Sequence, residues 1–200
     1  MDMRYHVGAY GASRPPRVSG YIYAFAMIMS IQTALASPWH LTADSEVGFH
    51  IDSFGVTFVK GQFEKVQSSL QFNLQQPEQA TAEVILDITS IRLNRPSFKQ
   101  MVLGPDLFYV EKYKTATFTS TQFKALGDHR YQILGNLTLR GVTHPISFNA
   151  RLVPNSNNPD VLDVEAYTII RRSDFGMKKA LGGIGEKVNI QVIGQWKKAD

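Results

Sequence analysis

Apolar and polar residues alternate at every second position through most of the chain beyond residue 37, and this constrains the fold more than any other feature. A β-strand turns successive side chains to opposite faces, so period two marks a half-buried strand. In Glu46-Val47-Gly48-Phe49-His50-Ile51-Asp52, Val47, Phe49 and Ile51 share one face. The same alternation groups Ala82, Val84, Leu86 and Ile88; Ala116, Phe118 and Ser120; and Tyr131, Ile133, Gly135, Leu137 and Leu139. It returns in Ile146, Phe148, Ala150 and Leu152, and in Val188, Ile190, Val192, Gly194 and Trp196. Turn signals at Gln76-Pro77-Glu78, Gly127-Asp128, Arg140-Gly141 and 154–159 separate these runs. The pattern predicts an all-β, antiparallel fold of about seven or eight strands, and leaves open whether they form a sandwich or a closed up-and-down barrel.

Two segments break the period. Asn94 is placed to cap a short helix with Pro96 in its first turn, and Phe98, Met101 and Val102 form its apolar stripe. Gly104-Pro105 ends that helix, and a second turn through Asp106-Leu107-Phe108-Tyr109 precedes the next strand at Thr115. The second break, from Arg171 to Lys187, carries Gly176, Gly182, Gly183 and Gly185 beside Lys178 and Lys179. It reads as a long loop or short helix between two strands, the kind of connection that carries binding on a β scaffold.

The first 36 residues read differently. Arg4, Arg14 and Arg17 face only Asp2, an apolar stretch runs from Gly20 to Ile31, and Ala34-Leu35-Ala36 closes it. This order matches a secretory signal peptide cleaved after Ala36, with an uncleaved anchor as the alternative. Arg14-Pro15-Pro16-Arg17 is not a twin-arginine pair. The expected organisation is a leader over 1–36 and one domain over 37–200. The formal charge of +4 then falls to +2, because the leader takes three arginines and one aspartate with it. A nearly neutral remainder gives no basis for a nucleic-acid partner. Export and a chain with no cysteine point together to a periplasm, and they exclude disulfides, thiolate metal sites and cysteine nucleophiles.

Most catalytic signatures are missing. His6, His40, His50, His129 and His144 show no zinc-binding spacing, and no Gly-x-Ser-x-Gly elbow occurs. Gly182-Gly183-Ile184-Gly185-Glu186-Lys187 resembles a phosphate loop in composition only. Neither catalytic nor metal-ligating residues are assigned. The apolar faces are more informative. A barrel of about eight strands is wide enough for one small ligand, although the same side chains also suit a filled core. Ala82, Ala116, Gly135, Ala150, Ala166 and Gly194 favour space inside. Near the breaks, Arg92, Arg95 and Lys99, and Arg171, Arg172, Lys178 and Lys179, are candidates to meet an anionic head group.

Several blocks together resemble the YceI-like family. They are Asp44-Ser45 with Val47 and Phe49, Ser90-Ile91 through Arg95, Phe108 followed by residues 111–118, the run from Gly135 to Pro145, and Arg172 to Met177. The resemblance implies a lipocalin-like barrel with one or two short helices at its mouth, exported in many members and often a homodimer. It also implies a polyisoprenoid or quinone-type lipid held in the lumen, and no catalytic residues or cofactor. On that reading the lumen is lined by Val47, Phe49, Val84, Leu86, Ile88, Phe98, Met101, Phe108, Phe118, Leu137, Phe148, Ala166 and Ile190. Arg92, Arg95, Arg172 and Asp174 would face the head group. Asp174 and Gly176 fit a chain reversal, with Arg172 and Asp174 in an ion pair or turn network, while Gly141 and Pro145 bracket a tight turn. Pro96 and Lys114 depart from the family pattern on the mouth side, so the head-group preference transfers less directly than the barrel. The expected role is that of a periplasmic carrier with no stable membrane insertion once the leader is gone. An enzyme acting on a lipid phosphate through His144, His50 or Asp174 at the rim, and a stress-related interaction module, are the alternatives.

Overall fold

The alternating runs form eleven strand segments in a computed structural model that describes residues 1–3, 37–53, 56–177 and 185–199. Residues 4–36 of the expected leader, Lys178, Lys179 and residues 182–184 of the glycine-rich run lie outside the described residues. In chain order the segments are β1 (Trp39–Leu41), β2 (Glu46–Ser53), β3 (Val56–Phe63), β4 (Val66–Gln71), β5 (Thr81–Asp87) and β6 (Ile91–Leu93). They continue as β7 (Thr115–Gly127), β8 (Arg130–Leu139), β9 (Val142–Asn155), β10 (Asn158–Arg171) and β11 (Lys187–Lys198).

Pairing decides between sandwich and barrel. One edge of β11 pairs with β10, and the other pairs with β2 through Asn189–Ile193 and with β1 through Trp196–Lys198. β2 pairs with β3 and β1 with β4, while β3 pairs with β6 and β4 with β5. The successive segments β1–β2, β3–β4 and β5–β6 are therefore three staves, each bent once. The chain becomes a closed eight-stave antiparallel meander, in which β6 is the one segment among the described residues that pairs on a single edge, with β3.

The bend between β5 and β6 shows how such a break is stabilised. A 3-10 turn spans Ile88–Ser90, and the Asp87 carboxylate accepts from the Thr89 amide (2.9 Å) and hydroxyl (2.6 Å). These bonds, the hydroxyl first, hold the Asp87 carboxyl below its ordinary range. The Ser90 hydroxyl accepts from the Lys65 amide at 3.0 Å and donates to the Asp87 carbonyl at 2.7 Å, bracing the neighbouring bend. Ile88 is thus in a turn rather than a strand, yet it remains buried.

Other departures from the sequence reading have local causes. The short helix α1 (Lys99–Leu103) follows a 3-10 turn over Pro96–Phe98, but Asn94 does not cap it. Asn94 instead donates its backbone N–H to the Lys60 carbonyl at 2.9 Å, and its side chain accepts from the Lys60 amide at 2.9 Å, extending the β3–β6 ladder. Pro145 lies within β9 opposite Asn136; the tight turn is Arg140-Gly141 alone, both at positive φ. Pro154 and Pro159 are likewise strand residues, and the turn lies between them. A bulge between Ser120 and Gln122 flips the parity of β7, so Phe123 is fully buried although it is out of phase with Ala116 and Phe118.

The core has two clusters along the barrel axis. One contains Phe49, Phe63, Val102, Phe108, Phe175 and Met177; the other contains Trp39, Leu70, Phe72, Phe123, Tyr131 and Trp196. Phe118, Ile146 and Ile190 pack against both. We refer to these as the α1 end and the tryptophan end. No helix among the described residues is long and apolar enough to cross a membrane.

Candidate functional site

The inward faces of the staves do not fill the interior. They leave a cavity of about 160 Å³ running between the two clusters, and its exposed wall is entirely apolar. An apolar cavity of roughly 150 Å³ stays dry and admits a benzene-sized group, so this space suits hydrocarbon and rejects water. A longer chain must push wall side chains aside or leave through an end.

All of the predicted lumen residues line this cavity except Phe98 and Met101. Those two pack against the outer side of the α1-end cluster, because the short helix turns Val102 inward instead. Sequence reasoning omitted Leu70, Val102, Leu107, Phe123, Met177 and Trp196, which also line it. Trp196 and Val102 carried a readable signal, in the β11 alternation and the α1 stripe. Phe123 was hidden by the bulge, and Met177 lies outside any periodic run.

The small inward residues divide by role. Ala82, Ala116 and Ala166 border the cavity. Gly135 does not provide ligand space: a Cβ there would lie 2.5 Å from the Phe118 ring, which occupies the room. Gly194, at φ 151°, lies under Ser45 in the same way.

Two arginines organise the α1 end. Arg140 sits at the β8–β9 turn and donates to the carbonyls of Pro105 (3.1 Å), Asp106 (3.4 Å) and Gly176 (3.0 Å). These carbonyls flank Leu107, Phe108 and Met177, so one guanidinium ties together non-strand segments that close the cavity. Phe108 then completes an aromatic set with Phe49 (6.0 Å) and Phe63 (6.3 Å).

Arg172, only 5% exposed, is the other. Its Nε donates to the Gly185 carbonyl at 3.1 Å, Nη1 to the Met177 carbonyl, and Nη2 lies 3.6 Å from Glu186. Its guanidinium is thus committed to the base of the loop, while its carbon stem meets the cavity wall. Glu186 accepts from Ser173, and that bond, with Arg172 and Arg171 beside it, keeps its carboxyl below the ordinary value. The expected network exists, with Glu186 rather than Asp174 as the acid; Asp174 is exposed on the 3-10 turn over Arg172–Phe175. Gly176 ends that turn at φ 76°. Of the other head-group candidates, Arg92 pairs with Glu64 and Arg95 lies over the Phe58 ring, both on the outer surface.

The rim residues of the enzymatic alternative are not assembled. His50 in β2 lies 3.8 Å from Asp52, whereas His144 in β9 packs edge-on against Phe175, and β10 and β11 separate their strands. No group of three or more His, Cys, Asp or Glu among the described residues is arranged to hold a metal ion.

Comparison with known proteins places this geometry. A family model for the YceI-like domain matches residues 39–195. A UPF0312 protein of Photorhabdus laumondii is 30% identical over 175 residues, covering 84% of this chain and 91% of its own length. Protein YceI of Escherichia coli O157:H7 is 30% identical over 173 residues, covering 83% and 90%. Among solved structures, BcnA of Burkholderia cenocepacia superposes with a TM-score of 0.72 at 21% identity, over 80% of this chain and 99% of its own. A polyisoprenoid binding domain from Saccharophagus degradans gives 0.65 at 14% identity, over 82% and 99%. At those identities the structural likeness establishes the barrel.

Proposed function

Because the chain belongs to the YceI-like family, we propose that it is a periplasmic carrier that shields the tail of a long-chain isoprenoid or similar amphiphile inside its barrel. The observation that carries this reading is the wholly apolar wall of the cavity within a closed barrel. The polyisoprenoid-binding name of a structural relative supports the same ligand class. Each buried CH₂ contributes about 0.8 kcal/mol, so tail burial alone supplies affinity and places selectivity on the tail rather than the head. The commitment of Arg172 to Gly185, Met177 and Glu186 agrees with a site that grips hydrocarbon.

In this reading the 1–36 segment directs export and is removed, and the barrel is the whole working domain. The protein carries its ligand without transforming it, as a homodimer. Purification from the native envelope followed by solvent extraction and mass spectrometry is expected to yield a prenyl-chain lipid in repeated preparations. Filling the lumen with Ala166→Phe should abolish that lipid while leaving the fold intact. Preparations that contain no lipid, or a variant that retains it, refute the proposal. Sedimentation of the purified protein at the mass of one chain refutes the dimer.

A further inference from the structure

We propose that the α1 end of the barrel docks on an anionic lipid surface. β3 buries Val59 and turns Phe58 and Lys60 to the outside. Phe58 meets Phe98 there, their ring centroids 5.6 Å apart, and the Arg95 guanidinium lies 4.7 Å from the first ring and 5.8 Å from the second. Lys99 follows on the exposed start of α1. Both rings remain partly in water. Aromatic rings that are half solvated and flanked by cations form an interfacial anchor: the rings enter the boundary of head groups and acyl chains, and the cations meet phosphates.

The charge distribution is an independent observation. None of the ion pairs among the described residues engages Lys60, Arg95 or Lys99, whereas neighbouring Arg92 is held by Glu64. Strand direction places Lys60, Arg95, Lys99, Arg140, Arg171 and Lys187 at the α1 end, where Lys and Arg outnumber Asp and Glu among the described residues. The opposite end reverses this excess, with Asp44, Glu78, Asp128, Asp160, Asp163 and Glu165. The nearly neutral barrel therefore carries charge separated along its axis. An anionic surface attracts the α1 end, repels the other and so orients the molecule before contact. The cavity-lining residues Val102, Leu107 and Phe108 lie directly behind the docking face.

The inference deepens the carrier reading by naming the surface from which the amphiphile is exchanged. Docking needs no lumen ligand, so the two readings fail separately. The test is flotation of the purified protein with vesicles of phosphatidylcholine alone and of phosphatidylcholine mixed with phosphatidylglycerol. Binding is expected to the mixed vesicles only, and to weaken as salt rises. Arg95→Glu with Lys99→Glu should lower it by about tenfold or more, and Phe58→Ser should lower it without changing the salt dependence. Lys124→Glu with Lys197→Glu, at the other end, should leave it unchanged. If thermal unfolding shows that the charge reversal disturbs the fold, Arg95→Gln with Lys99→Gln is read in its place. Equal binding to both vesicle types, no binding, equal loss from the control pair, or retention on heparin without vesicle binding overturns the proposal.

Discussion

The two ends of the barrel are closed by different physics. At the tryptophan end, Trp39, Phe72, Phe123, Tyr131 and Trp196 are all buried. Phe72 and Tyr131 meet edge to face at 5.5 Å, and two-residue turns such as Asp128-His129, both at positive φ, join the strands. Closure there belongs mainly to strand residues, with Phe72 one residue beyond the end of β4. At the α1 end, Val102, Leu107, Phe108 and Met177 come from outside the strands and are held by arginines that donate to backbone carbonyls. Displacing that cover breaks charge-assisted hydrogen bonds and exposes the buried Val102, Leu107, Phe108 and Met177, but leaves every ladder intact. Opening the other end requires unpacking the core, so the comparison assigns exchange to the α1 end and stability to the tryptophan end.

The largest expected effect lies where stability is assigned. Phe123 is 1% exposed, and its ring stands 6.5 Å from that of Phe72. Phe123→Ala is expected to cost about 3–5 kcal/mol, through lost burial and the cavity left behind. Chemical denaturation measures this directly. A loss below about 1 kcal/mol would mean that the tryptophan end collapses easily, and the contrast between the ends would fail.

The next effect is smaller in stability and larger in kinetics. Arg140→Met removes the donor shared by Pro105, Asp106 and Gly176, and is expected to cost about 2 kcal/mol. Release of an apolar fluorophore from the lumen, followed by stopped flow, should become faster than in Phe123→Ala despite the milder destabilisation. Arg140→Lys is not expected to restore the slow rate, because one ammonium cannot span the three carbonyls as a planar guanidinium does. Equal release rates in the Arg140 and Phe123 variants would show that the ends are not specialised.

The same contrast explains what was legible in the sequence. The strand faces were readable because period two is imposed residue by residue: Tyr131, Ile133, Leu137 and Leu139 all point inward as the alternation requires. Barrel closure was not, since it depends on β11 pairing with both β1 and β2, at separations from 139 residues (His50 to Asn189) upward. The tryptophan end was legible along β8, β9 and β11, whereas Trp39, Leu70 and Phe72 fall in no alternating run of the sequence and the Ser120 bulge reversed the phase of Phe123. The α1 end was read less well. Phe98 and Met101 looked inward on a helical wheel, but a five-residue helix entered through a 3-10 turn presents Val102 instead. The partner of Arg172 is Glu186, fourteen residues along, and no local spacing distinguished it from Asp174. Local pattern reads elements that carry their own periodicity, whereas segments positioned by long-range hydrogen bonds are placed by the fold.

The smallest effect is a pair of opposite pH responses. At the α1 end, Ser173 and the neighbouring Arg172 and Arg171 lower the Glu186 carboxyl from its ordinary 4.5. A depressed carboxyl stabilises the folded state above its unfolded value, and that contribution is lost as pH falls through the folded one. The difference in unfolding midpoint between the protein and Glu186→Gln should therefore be full at neutral pH and close progressively below 4.5. At the tryptophan end, burial raises the Tyr131 phenol above its ordinary 10.0. The sign is reversed: the neutral phenol is favoured in the folded state, so its contribution is intact below 10.0 and lost as pH rises beyond it. Tyr131→Phe should track the parent protein through neutral pH and keep its midpoint above 10.0, where the parent falls. Acid should thus speed fluorophore release before the core loosens, whereas alkali should loosen the core first. Release that accelerates equally in both directions would show that neither end is the one that opens.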